Sequence, residues 1–168
     1  MLNALEKHYG PFSRGMVLPN GRNSSLFAPS EKDPYILSVG RLWDEAKNLR
    51  TLDRVAPHVE WRVYVAGDTC HPGGGSATHH NVHALGPLSG DTLASWFSRA
   101  SIYALPARYE PFGLSALEAG LAGCALVLGD IPSLREVWGN AAIFVPPDDA
   151  GALRAALQTL IIDSDLRG

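Results

Sequence analysis

Two carboxylates and two cations stand where they could do chemistry. Glu110 and Glu118 are separated by seven residues, in the run Arg108-Tyr109-Glu110-Pro111-Phe112-Gly113-Leu114-Ser115-Ala116-Leu117-Glu118. A carboxylate such as Glu110, set between Tyr109 and Pro111, is a good acceptor for sugar hydroxyls. Glu118 has a plainer alternative, because Ser115-Ala116-Leu117-Glu118 is also an S-x-x-E capping box. Ser133-Leu134-Arg135-Glu136 repeats that pattern and reads as structural. Arg41 and Lys47 are the cations. Placed beside a helix start, they would suit a diphosphate, with the helix adding partial positive charge and free N–H groups. Alternatively they are two solvated side chains beside Asp44 and Glu45.

The elements that must position these groups alternate. Strands are expected at Tyr35–Val39, Trp61–Ala66, Val82–Leu85, Ser101–Leu105, Ala125–Leu128 and Ala142–Val145. Helical stripes are expected at residues 1–9, 49–57, 89–100, 113–122, 132–139 and 148–162, the last capped by Asp148 or Asp149. Lys47 is expected to begin the helix before Pro57. Residues 11–34 are rich in Pro, Gly, Asn and Ser and read as a linker, with Met16-Val17-Leu18 as one short strand. About six strands alternating with helices predict an α/β fold, a doubly wound parallel sheet with helices on both faces. In such sheets ligands sit beyond the carboxyl ends of the strands. Both Arg41/Lys47 and Glu110 follow a strand's carboxyl end. Gly113 would let a ligand approach the backbone closely, and the N–H groups of residues 112–115 would point at an anion. Carboxylates for hydroxyls and cations with helix amides for phosphates together suggest a sugar nucleotide.

Other chemistry is less well supported. The chain has no G-x-G-x-x-G after a strand, no P-loop and no G-x-S-x-G. His71, His79, His80 and His83 beside Cys70 fit no zinc spacing, and Thr69–His80 reads as a solvated, glycine-rich mobile loop, so no metal is expected. A net charge of −3 gives no general attraction to nucleic acid. Two cysteines make no disulfide framework, and Cys124 reads as a buried small hydrophobe. No apolar run approaches a membrane span of roughly 18 residues. The expected setting is cytoplasmic, or peripheral at the inner face of the membrane in a longer protein.

Four motifs in order resemble one family. Glu110-Pro111-Phe112-Gly113-Leu114-Ser115-Ala116-Leu117-Glu118 matches an E-x7-E motif with its internal F-G-L-S. Gly40-Arg41-Leu42 followed by Lys47-Asn48 matches a G-R-L…K-N/G segment. Pro19-Asn20-Gly21 matches the entry into the domain, and Asp130–Val137 the stretch after the next strand. The chain thus resembles, over about residues 16–162, the C-terminal donor-binding domain of a GT-B retaining glycosyltransferase of family 4 (group 1).

The resemblance implies roles. Arg41 and Lys47 would bind the donor's diphosphate and stabilise it as it leaves, and Glu110 would contact the transferred sugar. Those three would be the catalytic residues. Gly40, Phe112, Gly113, Leu114 and Ser115 would complete the donor site, and Glu118 would hold the ribose. The loop at Gly86–Leu88 would lie near the base. No cofactor is implied, and the substrate would be a UDP-, GDP- or ADP-linked sugar, used with retention. Residues 1–34 would link to an N-terminal acceptor domain and 35–168 would be the donor domain. The chain is expected to be a fragment, binding nucleotide weakly and transferring little alone. Two rivals are a sugar-nucleotide epimerase of the same architecture and a non-catalytic nucleotide- or partner-binding module.

Overall fold

The computed structural model describes residues 2–74 and 78–167. Six strands form its sheet: β1 (Asp33–Val39), β2 (Arg62–Ala66), β3 (His83–Gly86), β4 (Ala100–Leu105), β5 (Ala125–Gly129) and β6 (Ile143–Val145). Six α-helices accompany them: α1 (Leu2–Tyr9), α2 (Leu49–Val55), α3 (Gly90–Arg99), α4 (Leu114–Leu121), α5 (Pro132–Trp138) and α6 (Ala150–Ile162). The strand order is β3-β2-β1-β4-β5-β6 and every pairing is parallel. This is the doubly wound α/β order, with its direction reversing between β1 and β4.

Strand periodicity explains the layers. Alternate residues leave opposite faces of a sheet, so Ile36, Ile102 and Val127 meet Leu49, Leu52, Leu153 and Leu157 from α2 and α6. On the other face Leu37, Tyr103, Leu105 and Leu128 meet Phe97, Ala116, Ala119 and Leu134 from α3, α4 and α5. All six residues of β4 are buried. Each fully buried large apolar side chain contributes about 1.5–3 kcal/mol, so this central strand anchors both layers.

Local findings differ from the expected elements at three places and decide between two expected caps at a fourth. Met16-Val17-Leu18 is no strand but an exposed irregular segment. Lys47 does not begin α2. It ends a 3₁₀ turn, Glu45–Lys47, and Asn48 in the left-handed region separates that turn from the helix. β1 opens at Asp33, and Phe27 before it enters the core edge-on to Phe97. Asp149 caps α6 by accepting from the Ala152 N–H, while Asp148 turns to Arg108. The loop expected over 69–80 falls partly on residues 75–77, which lie outside the described residues. No helix among the described residues is long and apolar enough to cross a membrane.

The carboxyl ends of β1 and β2 cross closely. A Cβ at Gly67 would stand 1.8 Å from the Gly40 carbonyl oxygen, at φ +140°. Only glycine fits there.

Candidate active site

The loops after β1 and β4 flank the reversal point of the sheet, and their own backbones tie them together. The Ala46 carbonyl accepts from the N–H groups of Arg108 at 2.9 Å and Tyr109 at 3.4 Å. Asn48 adds side-chain ties. It is 1% exposed, with φ 56° and ψ 38°. Its Nδ2 donates to the carbonyls of Pro106 at 2.9 Å and Pro147 at 2.5 Å, and its Oδ1 accepts from the Thr51 hydroxyl at 2.9 Å. One buried amide thereby joins the chain segments that follow β1, β4 and β6. Asparagine and glycine are the residues that tolerate this backbone region, so the K-N/G motif has a structural cause. Arg108 reinforces the frame, bonding Asp148 through Nε at 2.8 Å and the Glu45 carbonyl through Nη1 at 3.0 Å.

Lys47 and Glu110 meet inside this frame. The lysine stem runs across Gly40, where a Cβ would lie 3.5 Å from its Cγ. Its Nζ donates to Glu110 Oε2 at 2.5 Å. Glu110 is 8% exposed. Its other oxygen, Oε1, accepts from the N–H groups of Phe112 at 3.3 Å and Gly113 at 2.9 Å. Burial alone raises the pKa of Glu110. The Lys47 bond, the Gly113 N–H, the lysine charge and the Phe112 N–H outweigh it and hold the carboxyl below its usual range. Ser133 fixes the backbone, its hydroxyl donating to the Glu110 carbonyl at 2.6 Å.

Neither expected capping box forms. Gly113, at φ +67°, is the N-cap of α4, which makes Ser115 a residue of the first turn. Its hydroxyl meets the buried Tyr103 hydroxyl at 2.7 Å. Burial, opposed by that bond, drives the Tyr103 phenol well above its usual range, so it stays a neutral donor. At α5 the N-cap is Ile131 with Pro132 next, and Ser133 serves Glu110 instead. Two of the four N–H groups expected to face an anion, those of Phe112 and Gly113, are thus held by Glu110. Leu114 and Ser115 begin the helix, where no intrahelical carbonyl can reach their N–H groups.

The remaining expected residues separate. Arg41 does not join Lys47. Its side chain, 61% exposed, donates to Asp44 Oδ2 at 2.6 Å and lies 5.2 Å over the Trp43 ring. Glu118 is buried in α4 and accepts through Oε1 from Arg22 Nε at 2.6 Å. Phe112 is half exposed and, with Leu114, lines a cavity of about 510 Å³ shared with Met16–Asn20. The histidines disperse. His71 Nδ1 accepts from the Gly73 N–H and its ring meets Trp43 edge-on, while His83 packs on Tyr64. Among the described residues no three His, Cys, Asp or Glu side chains could share a metal ion. Sequence reasoning missed Arg22 and Tyr103. Asn48, Arg108 and Ser133 stood inside the quoted motifs but were given none of these positioning contacts.

Residues 33–163 match the family model "Glycosyl transferases group 1". An uncharacterised glycosyltransferase of Methanocaldococcus jannaschii is 33% identical over an alignment of 152 positions that covers 82% of this chain and 38% of that protein. Sucrose-phosphate synthase from Thermosynechococcus elongatus superposes with a TM-score of 0.81 at 23% identity, over 98% of this chain and 48% of that one. Anabaena HepE, solved with UDP and glucose, also gives 0.81, at 17% identity over 99% of this chain and 52% of that one. The chain spans less than half the length of the curated relatives it matches. Matched along most of its length, and folded as a six-stranded doubly wound sheet, it belongs to the group 1 glycosyltransferases and has the form of their GT-B C-terminal domain.

Proposed function

We propose that this chain is the donor-binding half of a hexosyltransferase that takes sugar from a nucleoside-diphosphate sugar and transfers it with retention. The observation that carries the reading is the Lys47–Glu110 pair, laid across Gly40 at the start of α4. Lysine has three donors and Glu110 uses one. Two remain for phosphate oxygens, while Glu110 keeps the ammonium in place. Negative charge grows on the departing diphosphate in the transition state, where a fixed cation and the Leu114 and Ser115 N–H groups stabilise it most. Arg41 adds charge on leaving Asp44. Glu110 meets the transferred sugar's hydroxyls and Glu118 those of the ribose. The UDP and glucose held by Anabaena HepE support this ligand class, with the base left open among UDP, GDP and ADP. Residues 1–34 would link to an acceptor-binding half, which agrees with the 38% share of the longer relative. Alone, the chain would bind nucleotide and transfer little.

Titration of UDP, GDP and ADP against wild type and Lys47→Ala tests the reading. A charge-assisted bond is worth about 1.5–3 kcal/mol, so the best ligand should weaken roughly ten- to hundredfold. Equal affinities for the two proteins would refute it.

A further inference from the structure

We infer that Arg22 is the positioning residue of the nucleotide's ribose subsite. This rests on the donor reading above, in which Glu118 accepts from ribose hydroxyls. Arg22 lies outside residues 33–163, so the family match says nothing of it. It sits in the irregular segment before β1, 96 residues from Glu118 in sequence.

Glu118 is 8% exposed, and a buried carboxylate needs a partner to offset its lost hydration. Arg22 Nε is that partner at 2.6 Å, on Oε1 alone. A carboxylate offers about four lone-pair positions. The bond therefore fixes the rotation of the carboxylate and leaves Oε2 as an acceptor. Two vicinal hydroxyls are the ligand group that fits an oriented, anionic acceptor. Glu118 stands on the fifth residue of α4, one turn beyond the N–H groups of Leu114 and Ser115. A phosphate at the helix start and a ribose one turn along is the spacing of one nucleotide. The arginine is 41% exposed at its side chain, so its partner carboxylate, not its own packing, is what its loss disturbs.

The test compares UDP, GDP and ADP with their 2′-deoxy forms, by titration against wild type, Arg22→Ala, Arg22→Lys and Glu118→Gln. Wild type should prefer the ribonucleotide. Arg22→Ala should reduce that preference about tenfold, the worth of one charge-assisted bond. Affinity for inorganic pyrophosphate should stay as in wild type. Arg22→Lys should recover part of the preference. In the Glu118→Gln background, Arg22→Ala should have no further effect, because the two residues act through one another. An Arg22→Ala protein that keeps the full ribose preference overturns the inference while leaving the donor reading intact. Wild type that binds no nucleoside diphosphate sinks the donor reading itself. A uniform loss in Arg22→Ala, pyrophosphate included, would mean a general structural role and also overturns the inference.

Discussion

Replacing Asn48 with alanine should be among the most damaging single changes at the sheet's ligand edge. The structure supplies the terms. Alanine removes two bonds donated to the Pro106 and Pro147 carbonyls and one accepted from Thr51. At about 1 kcal/mol for each buried bond, that is roughly 3 kcal/mol. The left-handed backbone at φ 56° adds about 1 kcal/mol for a residue with a Cβ and no local polar group. The total is about 4 kcal/mol, against about 5–15 kcal/mol for a whole domain. Glycine separates the two parts: it keeps the backbone region and loses only the bonds, so Asn48→Gly should be about 1 kcal/mol more stable than Asn48→Ala. Urea unfolding with linear extrapolation measures both. A loss below about 1 kcal/mol in the alanine variant would show that the amide is not what joins the three loops. Alanine equal to glycine would show that the left-handed backbone carries no cost.

Other outcomes can be checked alongside. Glu110 has a depressed folded pKa, so its contribution is present above the ordinary glutamate range near 4.3 and is lost as pH falls through the lower folded value. Melting temperatures from pH 6 down to 3 should therefore fall less steeply in Glu110→Gln than in wild type; parallel slopes would contradict the assignment. Ser133→Ala removes the anchor on the Glu110 carbonyl. It should destabilise by about 1 kcal/mol and weaken nucleotide binding, and unchanged binding in a titration would deny Ser133 any part in placing the carboxylate. Burial pushes the Cys124 thiol up to about 11, whereas Cys70 is exposed. Iodoacetamide at pH 8 should label Cys70 first, and mass spectrometry finding Cys124 labelled equally fast would refute that burial.

The sheet was largely legible in the sequence because each strand is a short apolar run stopped by glycine or proline. β4 and β5 illustrate it: Leu105 is followed by Pro106, and β5 ends on Gly129. Turn and cap chemistry was less legible, because tertiary partners outbid local ones. Ser115 and Ser133 each match a capping pattern, yet one hydroxyl meets Tyr103 from β4 and the other the Glu110 carbonyl. Lys47 was placed in the wrong element, since nothing local announced a 3₁₀ turn before Asn48. Glu110 was read as a ligand acceptor without a structural task, and it also caps the backbone at Phe112 and Gly113. Arg22 lay beyond local pattern altogether. Its partner is set by how the segment before β1 folds back over α4.

The pairing of Lys47 with Glu110 also bears on how fast a ligand arrives. A free lysine in a cleft projects a field that draws anions in, raising association rates and making them fall with salt. Here the ammonium is matched by a carboxylate at 2.5 Å, and Arg41 by Asp44 at 2.6 Å. Seen from solvent, each pair is a dipole whose potential dies away within a few ångströms. An anion must reach contact before either cation responds to it. Stopped-flow association of an anionic nucleotide should then be slow for a cationic site and nearly indifferent to ionic strength, with selectivity residing in dissociation.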